Sequence, residues 1–355
     1  MHEIYRQAKK RFDQIAKPID SLGMLEDMVC KLCAIAQDVE PYPLSKRALV
    51  VMCADHGVVS EGVTQTGCDV TRIVAENFAK HSSCVNYMSD VAGVDVFAVD
   101  IGMNTPHYKQ KTLVTGAVID RKIAEGTNNL ADTPAMTMEQ CKQAIAIGET
   151  LVRELKEMGY HIVATGEMGI GNTTPSSVLA ALFLDLPVEK VTGRGAGLDD
   201  EGFRRKRLVI ERAIKRIKEK NEQDPMKLLA EGGGYELAGM VGMYLGAVKE
   251  RMPIIIDGAI SAVAALVASR IDERVPQFAF ASHVSEEPVG KYALSAMGLP
   301  AMLHGRMCLG EGSGAVALLP LLDMAMAVYS NMATFSDLQI DAYDRSGKPG
   351  QEEKE

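Results

Sequence analysis

The residues best suited to chemistry in this sequence are carboxylates set among glycines. The string GEMGIGNTT, residues 166–174, directly follows the apolar HIVAT and contains Glu167. Glycines at a strand end let the backbone approach a ligand, and Asn172 and Thr173 can begin a helix whose free N–H groups face an anion. The turn could also be purely structural, but a glutamate at the carboxyl edge of a sheet favours a ligand site.

A second glycine-rich string, GRGAGLDDEG, begins at Gly193 and is followed by Arg205 and Lys206. Three alternate glycines can form a nest of backbone amides for a phosphate, and Lys206 can supply a positive charge. The order of residues differs from that of a nucleoside triphosphate P-loop. The same residues could instead be the solvated, basic start of a helix.

The strings IIIDG and SHVSEEP offer small polar groups farther along the chain. Asp257 follows an apolar run and could orient a ligand hydroxyl, while Ser282, His283 and Ser285 are donors suited to ribose or phosphate. No G-x-S-x-G elbow precedes His283, which disfavours a serine nucleophile.

The string LGEGSGA places Glu311 between glycines inside an apolar stretch. Loss of water around such a carboxylate raises its pKa toward the range of a general base. Alternatively, Glu311 only caps the following helix, since acidic side chains favour helix N-termini. This string alone leaves both interpretations open.

Four apolar runs predict buried parallel strands: ALVVMCADHG, VDVFAVDIGM, YHIVATGEMGIG and MPIIIDGA. Amphipathic stretches between them predict helices over residues 70–88, 138–158 and 202–218. This alternation is typical of an α/β fold with a doubly wound parallel sheet, in which ligands bind at the carboxyl ends of the strands. The carboxylates expected at that edge are Asp55, Asp100, Glu167 and Asp257.

Both ends of the chain have helical patterns, and together they could form a small helical domain. The predicted organisation is a helical segment at 1–45, a Rossmann-like catalytic domain at 46–317, a second helical segment at 318–344 and a disordered tail at 345–355.

The composition of the 355 residues narrows the class of protein. A net charge of −9, 5% aromatic residues and no tryptophan disfavour a nucleic-acid surface. The polar N-terminus and the lack of a long uninterrupted apolar run predict a soluble, cytoplasmic protein without membrane contact. Seven scattered cysteines, with one isolated CxxC, disfavour disulfides and a zinc site, so no metal is expected.

Taken together, these strings resemble the nicotinate-nucleotide:dimethylbenzimidazole phosphoribosyltransferase family, which activates the lower ligand of cobamides. GEMGIGNTT, GRGAGLDDEG followed by RK, IIIDG, SHVSEEP and LGEGSGA occur in the family's order, after DHGVVSEGV at residues 55–63. The similarity runs from about residue 25 to residue 322. The joint occurrence of these strings is far more specific than any single glycine turn.

The resemblance implies a Rossmann-like domain with about six parallel strands, a small helical domain built from both chain ends, and a dimer. It also implies transfer of ribose 5-phosphate from nicotinate mononucleotide to a small aromatic acceptor such as 5,6-dimethylbenzimidazole. The products are an α-riboside 5′-phosphate and nicotinate, and no cofactor or metal is needed.

The resemblance also assigns residues. Glu311 matches the catalytic glutamate that takes the acceptor's proton. Glu167 matches a second glutamate at the nucleotide, and Gly169, Gly195, Lys206, Gly258 and Ser285 fall at positions that hold phosphate or ribose. With Asn172, Thr173 and Asp257, which the strings themselves suggest, these are the residues predicted for the donor and its phosphate. The residues assigned to the acceptor pocket are Thr64, Arg72, Met168 and Leu309.

Departures from the family pattern lie on the acceptor side. Residues 64–72 lack the expected tyrosine, proline and glutamine, and Arg72 stands where a glutamine is common; residues 303–308 and the Gly290-Lys291 pair also differ. The acceptor therefore stays open between a benzimidazole, a purine and a phenol. One alternative is a relative that activates phenol or p-cresol as a heterodimer with a paralogous subunit. Another is a catalytically silent paralogous subunit, which the presence of both Glu167 and Glu311 disfavours.

Overall fold

A six-stranded parallel sheet forms the centre of the computed structural model, which describes residues 1–344. Its strands are β1 (Arg47–Ala54), β2 (Val94–Gly102), β3 (Val118–Asp120), β4 (Ile162–Met168), β5 (Ile254–Ile256) and β6 (Ala279–Ala281). The strand order β3-β2-β1-β4-β5-β6 is that of a doubly wound Rossmann sheet, which confirms the predicted fold class.

The register of the central strands sets the position of the site. Seven of the eight residues of β1 are buried, because helices cover both faces of the sheet. Met52 of β1 is the partner of Glu167 in β4, so the two strands end at the same level. The residues that follow these strands therefore meet at one edge.

Fourteen helices are present among the described residues. They are α1 (His2–Gln14), α2 (Met24–Ala36), α3 (Asp69–Ala79), α4 (Cys84–Ala92), α5 (Met138–Glu157), α6 (Thr173–Leu184), α7 (Val188–Val191), α8 (Asp200–Lys218), α9 (Pro225–Gly232), α10 (Tyr235–Glu250), α11 (Ala259–Ile271), α12 (Val275–Phe278), α13 (Val289–Ala296) and α14 (Ser313–Asn331). A short 3-10 helix spans Gly57–Glu61.

The single helix predicted over residues 70–88 is wrong, because the chain forms two helices there, α3 and α4. Ser83 is extended and caps α4: its hydroxyl accepts a hydrogen bond from the Asn86 amide, and the Asn86 side chain accepts one from the Ser83 amide. Such a reciprocal capping box starts a new helix even within a continuous apolar pattern.

The described residues divide into two compact units, one made of Leu44–Leu318 and the other of Met1–Pro43 with residues 319–344. The predicted division into segments 1–45, 46–317 and 318–344 stays a prediction; α14 begins at Ser313, ahead of the predicted helical segment 318–344, and residues 332–344 contain no helix. In the smaller unit the rings of Phe12 and Tyr329 lie 4.8 Å apart, and the Tyr329 hydroxyl donates to the Val39 carbonyl at 2.7 Å. The predicted tail at 345–355 lies outside the described residues.

One helix of the described part, α14, is long and apolar enough to cross a membrane by its length and composition. Its most apolar stretch is 56% buried within the protein, and the helix contains Asp323. A mostly buried apolar helix is also what the core of a soluble protein contains, so this is weak grounds for a membrane span.

Candidate functional site

A cavity of about 270 Å³ opens at the carboxyl ends of the central strands. Eleven of the fourteen residues predicted for the site line it: Thr64, Glu167, Met168, Gly169, Asn172, Thr173, Gly195, Gly258, Ser285, Leu309 and Glu311. The three others, Arg72, Lys206 and Asp257, do not line it. Another cavity, bordered by residues 128–138 and 220–231, contains none of the predicted residues.

Glu311 is presented by a turn in which three successive residues have left-handed backbone angles. The φ angles of Gly310, Glu311 and Gly312 are 83°, 62° and 91°. This conformation is unfavourable for a residue with a Cβ atom, so the flanking glycines limit the strain to Glu311 itself. The turn rests against β4, because a Cβ atom added to Gly166 would lie 2.7 Å from the Glu311 carbonyl oxygen.

The Glu311 carboxylate faces the start of α4 instead of capping the helix that follows it. Its Oε2 accepts a hydrogen bond from the Val85 amide at 3.4 Å. Burial raises the pKa of Glu311, and the Val85 amide partly offsets that rise. Of the two interpretations that the sequence left open, the geometry therefore disfavours a cap on α14 and leaves a carboxylate with raised basicity at the cavity.

Asp257 caps α14. Its Oδ1 accepts from the amides of Gly314 at 2.7 Å and Ala315 at 3.1 Å, and its Oδ2 accepts from the Gly312 amide at 3.2 Å. Burial raises the pKa of Asp257 to about 7, although the amides act to lower it. The carboxylate thus has partners other than the ligand hydroxyl that the sequence suggested.

Glu167 lies beside the Glu311 turn and is buried. The Asn172 side-chain amide donates to its Oε2, and a Cβ atom on Gly310 would lie 2.6 Å from its Oε1. Burial, followed by the charge of Asp257, raises the pKa of Glu167 to about 8. At neutral pH Glu167 is therefore mostly protonated and able to donate a hydrogen bond.

Lys206 lies fully buried behind the glycine string that begins at Gly193. Its Nζ donates to the Thr173 hydroxyl at 2.7 Å and to the Gly193 carbonyl at 3.2 Å. Burial lowers the pKa of Lys206 to about 8. Gly195 has a φ of 56°, and a Cβ atom there would lie 3.4 Å from Nζ. These residues form a glycine nest behind which the Lys206 side chain is buried.

Glu287 enters this nest and was not singled out from the sequence. Its Oε1 accepts a hydrogen bond from the Gly195 amide at 2.9 Å. A Cβ atom on Gly193 would lie only 2.0 Å from its Oε2, so the carboxylate lies directly against the backbone. The only sequence signal was its place in SHVSEEP, two residues after Ser285.

The acceptor-side residues lie at the rim of the cavity. Val63, Gln65 and Cys308 join the predicted Thr64 and Leu309 in its lining, and the Gln65 amide donates to the Gly197 carbonyl.

Arg72 does not line this cavity. Its guanidinium pairs with Glu76, one turn along α3, at 2.9 Å. The structure therefore places Arg72 apart from the other residues predicted for the acceptor pocket.

A buried acid and imidazole lie behind the first glycine string. His56 Nε2 is 3.0 Å from Glu236 Oε1, and both side chains are fully buried. Burial opposes the charging of His56, but the Glu236 carboxylate raises its pKa overall. A Cβ atom on Gly169 would lie 3.1 Å from the His56 Nε2. The His56–Glu236 pair thus supports the turn that carries Glu167. The sequence did not indicate this pair, because its two residues are far apart along the chain.

No group of three or more His, Cys, Asp or Glu side chains within residues 1–344 is arranged to hold a metal ion.

Comparison with known proteins gives a consistent result. The pattern of a phosphoribosyltransferase family matches residues 1–340. The nicotinate-nucleotide–dimethylbenzimidazole phosphoribosyltransferase of Acetivibrio thermocellus is 40% identical over 96% of both chains, and that of Ruminiclostridium cellulolyticum is 40% identical over 96% of this chain and 95% of its own. The crystal structure of CobT from Thermus thermophilus matches with a TM-score of 0.89 and 37% identity, covering 96% of this chain and 99% of its own.

Proposed function

Because the chain belongs to the nicotinate-nucleotide–dimethylbenzimidazole phosphoribosyltransferase family, we propose that it transfers ribose 5-phosphate from nicotinate mononucleotide to 5,6-dimethylbenzimidazole or a related aromatic base in cobamide biosynthesis. The observation that carries the proposal is that one cavity combines a basic carboxylate, Glu311, with an anion nest backed by Lys206.

The donor's phosphate binds in the nest. Its oxygens accept hydrogen bonds from the backbone amide of Gly195 and from the hydroxyl of Ser285, while the buried Lys206 supplies positive charge. Gly258 and Gly169 line the cavity and contact the ribose phosphate through their backbone. The first amides of α6, which begins at Thr173 beside the cavity, add the partial positive charge of a helix N-terminus.

Glu311 acts as the general base. The acceptor nitrogen attacks the anomeric carbon from the face opposite nicotinate, the bond to the pyridinium nitrogen breaks, and the acceptor's N–H proton passes to the Glu311 carboxylate. Nicotinate takes the bonding electrons and leaves without needing a proton on its ring nitrogen. The inversion gives the α-riboside 5′-phosphate. A placed general base contributes about 10² to 10⁴ in rate, and alignment of the two substrates contributes roughly 7 to 11 kcal/mol.

Glu167 acts on the nucleotide in its neutral form. With a pKa of about 8 it carries little charge at neutral pH, so it does not oppose the negative charge on Glu311. It can then donate a hydrogen bond to the bound donor, with Asn172 holding its other oxygen.

The acceptor lies against the rim formed by Thr64, Met168 and Leu309. The relatives reported above are named for dimethylbenzimidazole, and they do not support a phenol-activating heterodimer or a silent subunit. We also propose that the protein is a homodimer, as the family resemblance implies, that it is located in the cytoplasm, and that it needs neither metal nor cofactor. Light scattering of the purified protein measures the oligomeric state.

The test is to incubate the purified protein with nicotinate mononucleotide and, in parallel, dimethylbenzimidazole, adenine or phenol, and to identify products by chromatography and mass spectrometry. We expect nicotinate and the α-riboside 5′-phosphate of dimethylbenzimidazole, with rates unchanged by a chelator. Absence of nicotinate release with every acceptor, or full loss of activity on chelation, would contradict the proposal.

A further inference from the structure

We propose that Glu287 is a built-in competitor for the donor's phosphate: its carboxylate occupies the position in the glycine nest where the phosphate binds, and the phosphate must displace it. This inference rests on the proposed function, which assigns the nest to the donor. It adds a residue that sets the affinity of the site for phosphate and its selectivity among anions.

The contacts of the carboxylate are those of a bound anion. Its Oε1 accepts from the Gly195 amide at 2.9 Å, and its Oε2 lies so near Gly193 that a Cβ atom there would be 2.0 Å away. Carboxylate and phosphate oxygens accept the same charge-assisted hydrogen bonds from backbone amides in such nests. The nest is therefore already filled by an anion from the chain itself.

The buried cation explains why an internal anion is useful. Lys206 is fully buried, and a charged ammonium in that setting is costly unless an anion compensates it. Burial lowers the pKa of Lys206, while the charge of Glu287 acts to raise it. Glu287 thus helps keep Lys206 protonated in the absence of the donor.

Phosphate and the Glu287 carboxylate cannot occupy the nest at the same time. Both need the Gly195 amide, and two negative charges so close to each other repel. Glu287 is the group that can leave. It is only partly buried and lies ahead of Pro288 and α13, so its side chain can turn toward solvent, whereas Lys206 is enclosed. A weakly bound monoanion gains too little to displace the carboxylate, so the competition favours a phosphate that makes several contacts.

The test measures the affinity of the full-length protein for inorganic phosphate by titration calorimetry. Glu287→Gln keeps the size of the side chain and removes its charge. Glu286→Gln, at an adjacent exposed residue, makes the same change in net charge and serves as the matched control. We expect Glu287→Gln to bind phosphate about ten-fold more tightly than the control, equivalent to about 1.4 kcal/mol. Its KM for nicotinate mononucleotide should fall in parallel, with a smaller change in kcat.

A second variant guards against a folding defect. Glu287→Asp keeps the charge but shortens the side chain by one methylene, so it should contact the Gly195 amide less well and give an intermediate phosphate affinity. The proposal is overturned if Glu287→Gln and Glu286→Gln differ by less than two-fold, including the case in which neither binds phosphate. Nicotinate release by the unmodified enzyme is measured separately, so a failed affinity shift in an active enzyme refutes the role of Glu287 alone.

Discussion

Replacement of Gly166 by alanine tests whether catalysis depends on the position in which the turn at residues 310–312 holds Glu311. Gly166 lies within β4 and does not have a left-handed φ, so alanine is compatible with its backbone conformation. The added Cβ atom would lie 2.7 Å from the Glu311 carbonyl oxygen and 3.1 Å from the Gly312 amide nitrogen. Both contacts are with backbone atoms, which cannot rotate away as a flexible side chain would.

The size of the effect follows from these distances. Ordinary van der Waals contact begins at 3.4 Å, so the turn must retreat by about 0.7 Å. A misplacement of about 1 Å costs on the order of 10² in rate, so kcat should fall by roughly 10- to 100-fold. The KM for nicotinate mononucleotide should change by less than about two-fold, since the proposed phosphate nest at Gly195 and Lys206 does not involve this contact.

The assay is steady-state release of nicotinate at saturating dimethylbenzimidazole, with thermal unfolding measured on the same samples. Gly305→Ala is the control, because its added Cβ atom meets only the Met307 side chain at 3.5 Å, an ordinary contact. A Gly166→Ala enzyme with kcat within about two-fold of the unmodified value would refute the link between the turn and catalysis. So would an equal loss in the Gly305→Ala enzyme.

Three further predictions concern the ionisable residues of the proposed site. Glu311→Gln should still bind both substrates, but its kcat should fall by a factor of about 10² or more, since an amide cannot take the proton. Near-normal turnover in this variant, together with an inactive Glu167→Gln, would assign the role of base to Glu167. Lys206→Ala should raise the KM for the donor by about ten- to a hundred-fold through loss of a charge-assisted hydrogen bond, and an unchanged KM would remove Lys206 from the phosphate site. Glu167, with its pKa raised to about 8, stabilises the folded state most below about pH 4.5, and this contribution is lost as pH rises toward 8. Thermal unfolding should therefore show that Glu167→Gln gains stability relative to the unmodified protein between pH 5 and pH 8.5. A difference in melting temperature that does not change in this direction would argue against a buried, protonated Glu167.

The sequence indicated the long elements well and the short ones poorly. β1, β2 and β4 are apolar runs of seven to nine residues, whose pattern alone identifies buried strands. β3 and β6 have only three residues each and were not predicted, so the number of strands had to come from the family resemblance. β5 is equally short, but its three isoleucines stand in an apolar run and were recognised. The break between α3 and α4 depends on the hydrogen bonds of Ser83, and the spacing of apolar residues does not reveal such bonds.

The sequence predicted cavity-lining residues where glycine strings carry them, and it missed contacts between residues that are distant along the chain. Glu167 and Glu311 stand inside such strings, and their neighbours reveal the close approach of the backbone. The cap that Asp257 gives α14 joins residues more than fifty positions apart, and no local pattern encodes that contact. Arg72 shows the converse, since its ion pair with Glu76 is local and readable as an i,i+4 pair on a helix.

The contacts of Asp257 have a consequence for engineering this protein. Three amides that closely follow Glu311, the proposed base, are tied to the end of β5, so this residue is anchored to the interior of the sheet. Thr64 and Cys308, by contrast, line the cavity from segments outside the strands and helices. Libraries that vary residues 64–66 and 308–309 while keeping Asp257 can therefore explore new acceptors with the proposed base still anchored to β5.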